Sequence, residues 1–88
     1  MSARPVRVLY FAWLKERVGT GEEAVELPAG IGTVGALTDW LAARSQRHAP
    51  AFAARATIRM AVNQDFATPE TPIAPGDEIA FFPPVTGG

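Results

Sequence analysis

Apolar and polar positions run along this chain in patterns that define its elements in turn. Val6 to Phe11 is an almost unbroken apolar run of β-branched and aromatic residues, broken only by Arg7 and preceded by a proline. It predicts a first strand, and so continuous a run predicts a central strand buried on both faces. Trp13 to Val18 predicts a short helical turn closed by Gly19, because glycine adopts the left-handed conformation that ends a helix without a Cβ clash. Glu22 to Leu27 alternates polar with apolar residues, the two-residue period of a half-buried strand, and Pro28-Ala29-Gly30 stops it. These two strands and their connection read as an opening hairpin with an elaborate turn.

The period then changes to that of a helix. Thr33 is a natural N-cap, and Val34, Leu37, Trp40 or Leu41, and Arg44 follow at helical spacing, predicting one main helix from Val34 to about Arg47. Arg44 and Arg47 fall in its last turns, where cations suit the helix dipole. Gly35 is a weak point, costing up to about 1 kcal/mol against alanine. Ser45 to Ala56, alanine-rich around Pro50 and Phe52, reads as a loop with a single helical turn. A third strand is expected over Thr57 to Asn63 with Ile58, Met60 and Val62 on one face, turning at Asn63-Gln64-Asp65. Phe66 to Ile73 carries Pro69 and Pro72, so any strand there is short and at an edge. Ala74-Pro75-Gly76-Asp77 is a turn, and Glu78 to Phe82 is the last strand. The expected fold is α+β: a mixed sheet of four or five strands, one main helix and short helical turns, in one domain over residues 1–82.

Composition narrows the chemistry. Among 88 residues there is no cysteine and one histidine, which excludes disulfides, thiolate metal sites, a catalytic thiol and a multi-histidine metal centre. Eight basic residues against nine acidic ones leave a net charge of -1, no footprint for nucleic acid or an anionic membrane. No apolar run approaches the roughly 20 residues that span a bilayer. The N-terminus lacks a signal-peptide core, so a cytoplasmic location is expected. His48 in its loop reads as a solvated histidine. Glu16, Glu22, Glu23, Glu26 and Asp39 read as solvated faces, and Trp13 and Trp40 as core or near-core anchors. The arginines are scattered, and Gly30-Ile31-Gly32, without a lysine at phosphate-loop spacing, is a turn. Asp77 and Glu78 read as exposed turn charges that could alternatively dock a partner.

The informative segment is the tail, residues 83–88. After Glu78 there is no charged side chain. Phe81 and Phe82 end the strand pointing to opposite faces, one into the core and the other, expected to be Phe82, toward a partner. Pro83-Pro84 cannot extend a ladder and favours polyproline II. Val85 and Thr86 favour extended backbone, and Gly87-Gly88 adds no side chains. A thin neutral peptide of this kind can enter a narrow channel and deliver a terminal carboxylate.

The run from Gly76 to Gly88, together with Val8-Leu9-Tyr10-Phe11-Ala12, Lys15-Glu16-Arg17-Val18-Gly19 and Ala61-Val62-Asn63-Gln64, resembles the small subunits of molybdopterin synthase, the MoaD family of ubiquitin-like sulfur carriers. The resemblance covers nearly the whole chain from Val6, with the region around Ser45 to Arg55 less characteristic. It implies the β-grasp (ubiquitin-like) fold. It also implies that the Gly88 carboxylate is adenylated by an activating enzyme of the MoeB type, using ATP, and converted by a sulfur donor to a thiocarboxylate. The tail, from Pro83 and Pro84 through Val85, Thr86 and Gly87, would then enter a MoaE-type large subunit. There the sulfur would pass to cyclic pyranopterin monophosphate, giving the dithiolene of molybdopterin. A heterotetramer of two small and two large subunits is expected, with Phe82 and Phe81 at the interface and no cofactor or metal held by the chain itself. The alternatives are a ubiquitin-like carrier for another pathway, such as thiazole synthesis, and a protein conjugated to lysines through its Gly-Gly tail. A third, an interaction module with an inert tail, is weaker.

Overall fold

The computed structural model describes residues 4–53 and 55–84. Its strands are β1 (Val6–Tyr10), β2 (Glu22–Val25), β3 (Arg59–Val62), β4 (Asp65–Ala67) and β5 (Glu78–Phe82). Its helices are α1 (Trp13–Val18), α2 (Val34–Ala42) and α3 (His48–Ala51), with a 3-10 turn over Arg55–Thr57. The strands form one sheet in the order β2-β1-β5-β3-β4. β1 and β5 run parallel, and the other pairings are antiparallel. The last strand therefore lies in the middle, next to the first.

Helices cover one face of this sheet. Val6, Val8 and Tyr10 of β1 and Ile79 and Phe81 of β5 point into the core against Leu14 and Val18 of α1 and Val34, Leu37 and Leu41 of α2. Trp13 and Trp40 are half-buried and pack against that core, as expected. The other face is open, which corrects the expectation that β1 is buried on both sides. Arg7 is exposed and Leu9 half-buried, because β1 is central in its pairing but, among the described residues, no second layer lies over it.

Two further departures have local causes. The main helix ends at Ala42 rather than near Arg47. Ser45 stops its continuation: the Ser45 hydroxyl accepts the N–H groups of Arg47 and His48, both at 3.1 Å, and starts α3 as a separate turn. The Thr33 cap is as predicted, its hydroxyl accepting the Ala36 N–H at 3.2 Å. Gly35 is not simply a weak point. Its N–H donates to the Pro69 carbonyl at 2.8 Å, and a Cβ at this position would stand 3.0 Å from that same oxygen. Glycine lets the first turn of α2 approach the chain after β4 this closely.

The turns follow their residues. Asn63 and Gln64 both have positive φ, 50° and 73°, giving the tight hairpin between β3 and β4. Asp77 closes the last turn, its carboxylate accepting from the Ala74 N–H at 2.9 Å and from the Asn63 amide at 3.2 Å. Gly19 caps α1 at φ 97°, as read from the sequence.

Candidate functional site

The candidate site is the end of β5, and the fold holds it on three sides. In register, Tyr10 of β1 lies beside Phe81, and Arg59 of β3 lies beside Phe82. The Phe11 N–H donates to the Phe81 carbonyl at 3.1 Å, so pairing extends to the last residues of the strand. Beneath the strand, the Phe81 ring is fully buried. It stacks on Tyr10 with centroids 6.2 Å apart and meets Phe52 edge-on at 5.1 Å. Strand alternation then turns Phe82 to the open face, settling which of the two aromatics points out. Pro83 and Pro84 follow, half-buried and outside the ladder. Val85, Thr86, Gly87 and Gly88, the remaining residues of the predicted tail, lie outside the described residues.

Phe82 is not alone on the open face. Phe66 of β4, 85% exposed, has its ring centroid 6.1 Å from that of Phe82. Register places Phe66 beside Ala61, Ala61 beside Ala80 and Ala80 beside Leu9, all on the same face. Phe11, 48% exposed, extends the strip beyond β1. Sequence reading missed Phe66. The available signal was a large aromatic between Asp65 and Ala67 in an edge segment too short to bury it.

On the core side of Tyr10 lies a polar cluster that sequence reading also missed. His48 is buried, not solvated: its Nδ1 faces the Ser45 hydroxyl at 2.7 Å and its Nε2 faces Glu23 at 2.8 Å. The same Glu23 oxygen accepts from the Tyr10 hydroxyl at 2.7 Å, and the other oxygen accepts from Arg44 at 2.8 Å. Glu23 is therefore not a solvated carboxylate but the hub joining β1, β2 and α3 to Arg44, just beyond the end of α2. Burial works to raise its pKa, yet the hydrogen bonds from His48 and Tyr10 and the charges of Arg44 and His48 outweigh it and hold the carboxyl below its usual range. Tyr10 is driven the other way, first by burial and then by its bond to the Glu23 carboxylate, and stays protonated. The cluster fixes the Tyr10 ring on which Phe81 stacks. Arg7 is paired with Glu22 and Glu78 at 3.3 and 3.5 Å, so Glu78 serves the sheet surface rather than standing free.

A mixed sheet with parallel first and last strands, one long helix across it and the last strand running out beside the first defines a β-grasp protein of the ubiquitin-like class. The crystal structure of small archaeal modifier protein 1 from Haloferax volcanii superposes on it with a TM-score of 0.73 at 31% identity, covering 93% of this chain and 99% of that one. A model of the ThiS family matches residues 8–88. The molybdopterin synthase sulfur carrier subunit of Escherichia coli (strain K12) is 46% identical over 83 residues, covering 94% of this chain and 99% of that protein. The subunit of the same name from Haemophilus influenzae is 37% identical with the same coverage. This chain belongs to the ThiS family and, within it, to the MoaD group of sulfur carriers.

Proposed function

We propose that this chain is the sulfur carrier subunit of molybdopterin synthase, a sulfurtransferase whose small subunit supplies the sulfur and no catalytic side chain. The observation that carries this reading is the end of β5. It is paired on both edges, clamped beneath by Tyr10 and Phe52, and ends in Pro83-Pro84 ahead of Val85-Thr86-Gly87-Gly88. A rigid root followed by two residues that cannot re-enter the sheet suits a peptide that must be presented to other proteins.

The chemistry follows from the terminus. A free carboxylate is a poor electrophile, so an activating partner transfers AMP from ATP to the Gly88 carboxylate, releasing pyrophosphate. A sulfur donor displaces AMP and leaves a thiocarboxylate, whose charge rests largely on soft, nucleophilic sulfur. Inside the large subunit that sulfur adds to cyclic pyranopterin monophosphate, and two carriers build the dithiolene of molybdopterin. ATP is the activating enzyme's substrate, and the chain itself holds no cofactor. The open-face pair Phe82 and Phe66 docks the large subunit, two of each assembling as a heterotetramer in the cytoplasm. Incubation with activating enzyme, ATP and a sulfur source, followed by intact mass and pull-down of the large subunit, tests this directly.

The likeness to a modifier protein favours a second reading in the same chemistry, conjugation of the activated Gly88 to lysine amines. Attachment of the chain to other proteins in place of thiocarboxylation would select it.

A further inference from the structure

The chain carries seven arginines but a single lysine, Lys15. A guanidinium stays protonated and does not acylate under these conditions, so Lys15 is the only side-chain amine able to intercept an activated carboxyl. Its placement gives it access. Lys15 is exposed on α1, which begins three residues after Tyr10, the register partner of Phe81. Its side chain runs over Gly21, with Cε 3.3 Å from where a Cβ would stand, so glycine leaves the amine's stem uncrowded. It lines an open groove of about 620 Å³ with Leu9, Phe11 and Ala12 as apolar walls and with Arg7 and Glu22 also in the lining. Arg7 and Glu22 pair with each other, and the Lys15 ammonium takes no part in that pair.

We propose that Lys15 is an acceptor for the activated C-terminus of a second copy of this chain. The incoming Pro-Pro-Val-Thr-Gly-Gly segment is neutral and thin, matching the apolar walls, and with Glu22 balancing Arg7 it is the Lys15 ammonium that gives the groove its net positive charge to meet the phosphate of an acyl-adenylate. A second copy is favoured over the chain's own tail. Lys15 lies over Gly21, on the β2 side of β1, whereas β5, the strand from which the tail departs, pairs with the other side of β1. In the reaction the free Lys15 amine adds to the Gly88 carbonyl carbon, and the bond from that carbon to the phosphate oxygen breaks. AMP leaves with the electron pair, the ammonium proton goes to solvent, and an isopeptide bond remains with no oxidant or reductant needed.

This proposal rests on adenylation of Gly88, and its test separates the two. The full chain is incubated with ATP and an activating enzyme without a sulfur source, following pyrophosphate release, intact mass and branched tryptic peptides. In a parallel arm, a chain prepared with Gly88 as an alkyl thioester supplies the electrophile with no enzyme. A covalent dimer lighter than two chains by one water, branched at Lys15 and lost completely in Lys15→Arg while pyrophosphate release persists, is the expected result. Pyrophosphate release with no dimer in either arm overturns the proposal and leaves the carrier reading standing. A dimer that persists in Lys15→Arg, or a monomer lighter by one water, overturns it equally. No pyrophosphate release with a Lys15-linked dimer from the thioester overturns the adenylation reading and supports the acceptor.

Discussion

Phe66 and Phe82 face each other on the open side of the sheet, ring centroids 6.1 Å apart and planes inclined at 53°. They come from the edge strand β4 and the central strand β5, bridged by β3. Neither ring belongs to the buried core, so together they form an aromatic strip leading to Pro83. Substituting Phe82→Asp or Phe66→Asp should leave the far-ultraviolet circular dichroism spectrum intact. Each should weaken binding to the large synthase subunit by about 2 kcal/mol or more, roughly thirtyfold, as expected for an aromatic hot spot. Titration calorimetry reads this, and unchanged affinity in both variants would remove the open face from the interface.

Glu23 makes stability pH-dependent in a definite direction. Its carboxyl is held below the ordinary 4.5 in the folded chain. Its contribution is therefore fully present above the unfolded value and is lost as pH falls through the folded one. Glu23→Gln should cost about 1–3 kcal/mol near neutral pH, the range for a hydrogen-bonded charged group. The gap between wild type and variant should narrow progressively as the pH is taken below the ordinary carboxyl value. Urea unfolding across that pH range measures this, and a gap that widens in acid would contradict the hub role.

Gly35 invites a misleading stabilisation. Alanine gains up to about 1 kcal/mol over glycine in a helix. Here its Cβ would stand 3.0 Å from the Pro69 carbonyl oxygen and 3.1 Å from the Pro69 Cβ. Overpacking against backbone costs about 1–3 kcal/mol, so Gly35→Ala should lower the urea midpoint rather than raise it.

Ala12 is the reverse case. It sits at φ 56°, ψ −133°, a region that favours glycine, where the chain turns from β1 into α1. Strain of this kind costs about 1–3 kcal/mol and exceeds the entropy that glycine adds to the unfolded chain. Ala12→Gly should therefore raise the thermal midpoint, by about 4–8 °C for each kcal/mol in a domain this small. A lowered midpoint would show that the backbone relaxes there.

The strands were legible in the sequence because local signals agreed: alternation in β2 and β3, proline at the edge, and glycine or asparagine at each turn. The order of the sheet was not, since nothing local states that β5 inserts between β1 and β3. The direction of Phe82 follows from alternation only once Phe81 is known to meet Tyr10 and Phe52. Glu23 and His48 lie 25 residues apart, and their pairing depends on how α3 docks against β2. Ser45 hid in an alanine-rich stretch although its hydroxyl decides where α2 stops. For the tail, residue order and family resemblance carry the functional reading, while the fold shows how its root at Phe81 and Phe82 is held.

The most direct test of the carrier reading is the intact mass of this chain after incubation with an activating enzyme, ATP and a sulfur source. The expected result is a gain equal to the difference between one sulfur and one oxygen, located at Gly88 and abolished in Gly88→Val, where a branched side chain crowds the activated carboxyl. An unchanged mass despite pyrophosphate release, or a gain that persists in Gly88→Val, would contradict it.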